Sequence, residues 1–243
     1  MEIHIIIEIL LASTVLMLLV VNNKAIKLLL IRHIYGSYSY NYIKYHKTIF
    51  LKNPYPPCIQ DDLIVHCFNF IDINPETKVY ATKSEISFGS YPFFTKLAVV
   101  KGKTIPNCFN IYKLSDKCTI KILGLKTEMF NNKIVEVYYF MNDIFFMGEY
   151  LFPDISKANC EQLIGVLEKK YNISGRISDE EFYVQDDQDS LLFFGNNGFS
   201  ISIQYINNKK PYINELWDAY FKNAIKKDIL ITADDHKEIF SKL

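Results

Sequence analysis

The chain has 243 residues, 49% of them hydrophobic and 15% aromatic, and its 27 Lys+Arg balance 27 Asp+Glu. Zero net charge excludes a nucleic-acid binder that works by overall charge. The apolar content is too high for a disordered chain and sufficient for a sizeable core.

The chain opens on its most apolar stretch. From Ile3 to Val21, 14 of 19 residues are Ile, Leu, Val or Met. As a helix this stretch is roughly 28 Å long, close to the hydrocarbon thickness of a bilayer. Glu8 lies near its start, within reach of the interface, so its cost does not cancel the apolar gain. The start, Met-Glu-Ile-His, lacks the basic residues of a signal peptide, and no small-residue cleavage site follows the run. Residues 1–31 therefore read as a membrane anchor helix with its juxtamembrane segment. Lys24, Lys27, Arg32, Lys44 and Lys47 follow the run, and the positive-inside rule places that side in the cytoplasm. The competing reading is a soluble protein whose first helix is core. Residues 25–34 suit an amphipathic helix along the membrane surface or one packed on the domain.

Residues 32–57 read as a Tyr/Pro-rich tether. Tyr38, Tyr40 and Tyr42 alternate with period 2, as in a strand with one aromatic face. Tyrosines are also expected beside a membrane, and the few nearby cations argue against stacking on single-stranded nucleic acid. Asn53-Pro54-Tyr55-Pro56-Pro57 ends the tether.

Residues 58–243 read as an α+β domain, mainly antiparallel sheet with three to four packed helices, with a possible division into two lobes near Asp154. Strands are predicted at 63–73, 79–81, 85–88, 108–114, 119–125, 133–141 and 144–152, with a short helix at 92–101. Asn142-Asp143 is a hairpin turn between the last two strands, and the first of these is apolar on both faces, which makes it central. A helix follows at 157–171, with Cys160, Leu163, Ile164 and Leu167 on one stripe. Strands at 181–184, 190–194 and 198–206 and helices at 211–227 and 233–243 complete the chain.

No phosphate loop, dinucleotide fingerprint, nucleophile elbow or zinc-protease helix occurs. The five cysteines form no Cys-x-x-Cys, and their odd number favours free thiols in a reducing compartment. Cys58, His66, Cys67, Cys108 and Cys118 are spaced too widely for a usual zinc site. Asp186, Asp187 and Asp189 lack the rest of a calcium loop and suit a hairpin tip. Counting back from the Asn142-Asp143 turn pairs Glu136 with Glu149. Two facing carboxylates are the beginning of an acid/base pair if buried, and ordinary surface residues if exposed; the exposed reading is preferred. Trp217, Tyr220 and Phe221 form a helical stripe, read as core rather than as a partner-binding surface.

The expectation is thus a bacterial, single-pass, membrane-tethered protein whose cytoplasmic domain binds another protein. Its partners are the lipid bilayer, through the N-terminal helix, and a protein rather than nucleic acid. No catalytic residue, metal ligand or cofactor is assigned. The alternatives are an enzyme using carboxylates between residues 136 and 189, or a soluble α+β protein.

Overall fold

The computed structural model describes residues 2–58, 76–103, 106–173, 180–198, 200–207, 214–216 and 218. The chain divides into two compact units, Met1–Pro56 and Pro57–Leu243.

The first unit is helical: α1 (Glu2–Asn22), α2 (Lys24–Tyr35) and α3 (Tyr40–Phe50). Asn23 separates the first two because its side chain accepts the free N–H groups of Ala25 and Ile26, the ordinary work of an N-cap. Gly36 ends α2 at φ 82°. The tyrosine-rich stretch, expected as strand or linker, is helical in α3. The Ser39 hydroxyl accepts from the Tyr42 N–H at 3.1 Å. The rings of Tyr42, His46 and Phe50 then pack at a tilt one turn apart, with centroids 6.0 and 4.7 Å distant. A capped start with i,i+4 aromatic contacts prevails over an alternation of only three tyrosines. The membrane-crossing helix is not met within the described residues: none of their helices is long and apolar enough to cross a membrane.

The second unit is built on one mixed sheet of eight strands. These are β1 (Lys78–Thr82), β2 (Cys108–Lys113), β3 (Thr119–Met129), β4 (Asn132–Met141), β5 (Ile144–Phe152), β6 (Glu181–Asp186), β7 (Ser190–Asn196) and β8 (Ile201–Asn207). Their order is β1-β6-β7-β8-β5-β4-β3-β2, antiparallel throughout except for the parallel pair β1–β6. Two meanders, β2 to β5 and β6 to β8, meet where β5 pairs with β8, so the apolar β4 lies inside the sheet as its pattern requires. The predicted strand at 85–88 is a loop, held where the Ile86 N–H donates to Asp186. The predicted helix at 92–101 is shorter and later, α4 (Leu97–Lys103). β3 is longer than expected because Phe130 and Asn131, both at positive φ, close a tight turn into β4. The strand expected at 63–73 and the helix expected at 233–243 lie outside the described residues, and of the helix expected at 211–227 residues 214–216 and 218 are described, as helix.

Helix α5 (Lys157–Tyr171) links the meanders. Ser156 caps its start, Asn172 ends it in the left-handed conformation, and Cys160, Leu163, Ile164, Leu167 and Tyr171 bury one stripe. Thr82 donates its hydroxyl to the Tyr171 carbonyl at 2.6 Å, and the Asn196 amide approaches the Cys160 sulfur, which fixes the helix on one face of the sheet. The same face holds Phe88, whose ring packs on Tyr138, Tyr150 and Tyr205 with centroids 4.6–5.4 Å away. That ring lies directly on Gly148, where any Cβ would overlap it. The opposite face carries a second core of Ile120, Ile122, Val137, Tyr139, Met147, Phe193 and their neighbours.

Candidate functional site

The turn at Asn142-Asp143 forms as predicted, but a β-bulge between Tyr139 and Phe140 shifts the register beyond it. Phe140 pairs with Phe145 and Tyr139 with Met147, so Glu136 faces Tyr150 and Glu149 faces Val137. One extra residue sends every later side chain to the other face. Glu136 and Glu149 are therefore on opposite sides of the sheet and form no pair. Nor is Glu149 a surface residue: it is 0% exposed.

Glu149 is instead the polar centre of the second core. Tyr139 donates to its Oε2 at 2.5 Å, and Ser202 and Gln204 donate to its Oε1 at 2.5 and 3.1 Å. These donors come from β4 and β8, the two neighbours of β5, so the carboxylate ties three strands together. A buried carboxylate is tolerable when hydrogen bonds satisfy it, and here three neutral donors do so.

On the other face, Glu136 accepts the Tyr138 hydroxyl at 2.8 Å and lies beside Tyr150. Burial pushes the Tyr150 hydroxyl up to about 12, the charge of Glu136 adds to this, and the Gly89 N–H opposes it. Tyr138 is raised by burial and then by Glu136, and Tyr171 and Tyr205 are raised by burial. Each of these hydroxyls stays protonated at neutral pH, so none serves as a base. The Tyr171 hydroxyl lies close enough to Tyr205 for electrostatic coupling, but it is buried and its geometry falls short of a hydrogen bond. Lys170 extends over the rings of Tyr171 and Tyr205 at 5.0 and 6.0 Å, and burial lowers its pKa. The arrangement is a hydrogen-bonded aromatic layer under α5.

The acidic turn does not gather around an ion. Asp186 is buried and accepts from the Ile86, Gln188 and Ser190 N–H groups at 2.8–2.9 Å, so its carboxylate staples a loop to the β6–β7 turn. Asp187 and Asp189 are exposed. Among the described residues no group of three or more His, Cys, Asp or Glu side chains is placed to hold a metal.

The cysteines correct the expectation of free thiols. Cys58 and Cys108 form a disulfide across 50 residues, seated against Gly124 of β3, where a side chain would collide with it. Cys118 and Cys160 are free and buried, and burial raises the Cys118 thiol to about 11 with Glu215 adding to the effect. His66, Cys67, Trp217, Tyr220 and Phe221 lie outside the residues whose side chains are described.

Among the described residues, two open hollows mark the surface of the second unit. One, of about 720 Å³, is rimmed by Glu76, Lys78, Glu180 and Glu181; the other, of about 520 Å³, by Lys126, Glu128, Lys133 and Pro153. Neither is lined by Glu136, Glu149 or the tyrosine layer, so neither brings a solvent-accessible space to the buried polar groups.

The first unit is different in kind. Ile5, Ile6 and Ile7, then Ile9, Leu10 and Leu11, are 48–62% exposed on α1. Three consecutive residues span most of a helix circumference, so α1 presents apolar groups all round. Between Glu8 and Asn22 the polar side chains are Ser13 and Thr14, and both hydroxyls donate to the Leu10 carbonyl, at 2.8 and 2.7 Å. The sequence marked this segment by composition alone; the internal hydroxyl bonds become visible only in the structure.

No protein-family model matches the chain, and no match is found among curated proteins or solved structures.

Proposed function

We propose that the chain is a membrane-anchored, non-enzymatic binding module: α1 inserts into a bilayer, and the α+β unit engages another protein. The observation that carries the reading is α1, with isoleucine and leucine exposed around its circumference and its two central hydroxyls bonded to its own backbone. A helix in hydrocarbon must satisfy its polar groups internally, whereas a helix in water gains nothing from such a surface. α1 has 21 residues and a rise of about 31 Å, on the order of the hydrocarbon thickness of a bilayer.

The non-enzymatic part rests on the second unit. Its buried carboxylates are saturated by hydrogen bonds that hold strands or loops, and its tyrosine hydroxyls are held protonated. The test uses the full chain in detergent, with chemical crosslinking and affinity capture in parallel with a hydrolase and transferase activity screen. The reading expects a saturable protein partner and no turnover. Turnover that is abolished by Glu136→Gln, without a partner, would replace it with the enzyme reading.

The cations after α1 support a cytoplasmic α+β unit through the positive-inside rule. A second reading of its side is favoured by one observation, the Cys58–Cys108 disulfide, which belongs to an oxidising compartment. Gel shift with a membrane-impermeant maleimide, with and without prior reduction, separates them. A thiol pair labelled only after permeabilisation supports the cytoplasm, and a pair labelled in intact cells only after reduction supports the oxidising side.

A further inference from the structure

We propose that α2 and α3 form a docking surface for anionic phospholipid headgroups. The inference rests on the membrane reading and names the lipid chemistry it would meet. Lys24, Lys27, Arg32, Lys44, Lys47 and Lys52 are all exposed. No Asp or Glu occurs between Glu8 and Asp61, so these six cations face no carboxylate of their own segment, in a chain whose net charge is zero. An ordinary soluble surface interleaves both signs. Clusters of four to eight cations next to an inserted helix are the composition that attracts anionic lipid, with each contributing about fivefold to partitioning.

The helices arrange these charges among lipid-compatible groups. Tyr40, Lys44, Lys47 and Leu51 recur at helical spacing along one exposed side of α3, and Leu51 is 89% exposed. Ile34 and Phe50 are 68% and 47% exposed among the same cations. Lys27 lies 5.5 Å from the Tyr45 ring and Lys44 5.9 Å from the Tyr40 ring, so the tyrosines hold the ammonium groups close to the helix surface. Exposed aliphatic side chains between cations suit the headgroup–acyl boundary and add nothing to binding a phosphate backbone in water. That distinction selects lipid over nucleic acid.

The experiment places the full chain in nanodiscs of phosphatidylcholine, with or without 30% phosphatidylglycerol, where 30% is the composition chosen. Tryptic cleavage after Lys44 and Lys47 is followed by mass spectrometry, with cleavage after the exposed Lys117 as the internal reference. The proposal expects about tenfold slower cleavage at Lys44 and Lys47 in the anionic discs, reversed by 0.5 M NaCl, because exposed charge interactions are screened. The triple variant Lys24→Gln, Lys27→Gln, Arg32→Gln keeps both cleavage sites and should lose most of that protection. Equal cleavage in both discs overturns the proposal while leaving the anchor intact. A chain that fails to remain in either disc overturns the membrane reading itself. Protection in neutral discs by a single-stranded oligonucleotide, without protection by phosphatidylglycerol, overturns the choice of lipid.

Discussion

The two units solve the same problem, placing apolar side chains, in opposite ways. In the first, α1 exposes Ile6, Leu10, Leu16 and Met17, and its hydroxyls turn inward to the backbone. In the second, Phe88, Tyr139, Phe146, Phe182 and Phe194 are almost wholly buried, and polar groups such as Glu149 are enclosed with their donors. Charge divides the same way. Residues 1–56 hold six of the Lys+Arg and two of the Asp+Glu, giving +4, and residues 57–243 carry the compensating −4. A neutral total therefore conceals a basic apolar unit joined to an acidic packed one. The packed unit depends on internal contacts for stability; under the proposed membrane reading, α1 takes its stability from the bilayer around it.

The comparison breaks if a change in the packed core also releases the chain from membranes. Phe88→Ala is expected to destabilise the second unit by about 3–5 kcal/mol, the usual cost of removing a buried aromatic ring. Near-UV circular dichroism should show the loss, while membrane attachment stays unchanged. Opening the disulfide by Cys58→Ser with Cys108→Ser should cost about 2–5 kcal/mol, because it frees a long loop in the unfolded chain. The readout is the urea midpoint of the purified oxidised protein, and an unchanged midpoint would remove the disulfide from the account. Glu149→Gln should cost about 1–3 kcal/mol, because an amide nitrogen in place of one oxygen can no longer accept all the bonds from Tyr139, Ser202 and Gln204.

Alkaline pH sharpens the contrast further. Tyr150 is held at about 12, and Tyr138, Tyr171 and Tyr205 are also raised, against about 10 for tyrosine in an unfolded chain. A raised folded value means stability fully present below pH 10 and lost as pH climbs through about 12. Melting temperature should fall more steeply over that window than between about pH 7 and 9, with tyrosinate absorbance appearing as the fold is lost. The smallest effect goes the other way. Gly165 on α5 has open space where a Cβ would stand, so Gly165→Ala should stabilise by about 1 kcal/mol, read as a higher urea midpoint.

Much of the second unit was legible in the sequence. The run of β4, apolar on both faces, the Asn142-Asp143 turn and the capped stripe of α5 are local signals, and each element formed where they pointed. What failed was register. A bulge has no sequence marker in β5, yet it moved Glu149 from a supposed surface pair with Glu136 into the core of the other face. The Cys58–Cys108 bond was equally illegible, since connectivity follows from the sheet bringing β2 beneath the start of the unit rather than from spacing. The Tyr-rich segment misled for a third reason. Its alternation was short, and the Ser39 cap that decides for helix lay within it.

The measurement that bears most directly on the central claim is carbonate extraction of membranes from cells expressing the full chain, compared with the variant Leu10→Asp, Leu16→Asp. The account predicts that the native chain stays in the washed membrane pellet and that the variant, with two charges on the exposed surface of α1, moves to the supernatant. Native chain released quantitatively by carbonate would contradict it, and the exposed surface of α1 would then have to be covered by protein.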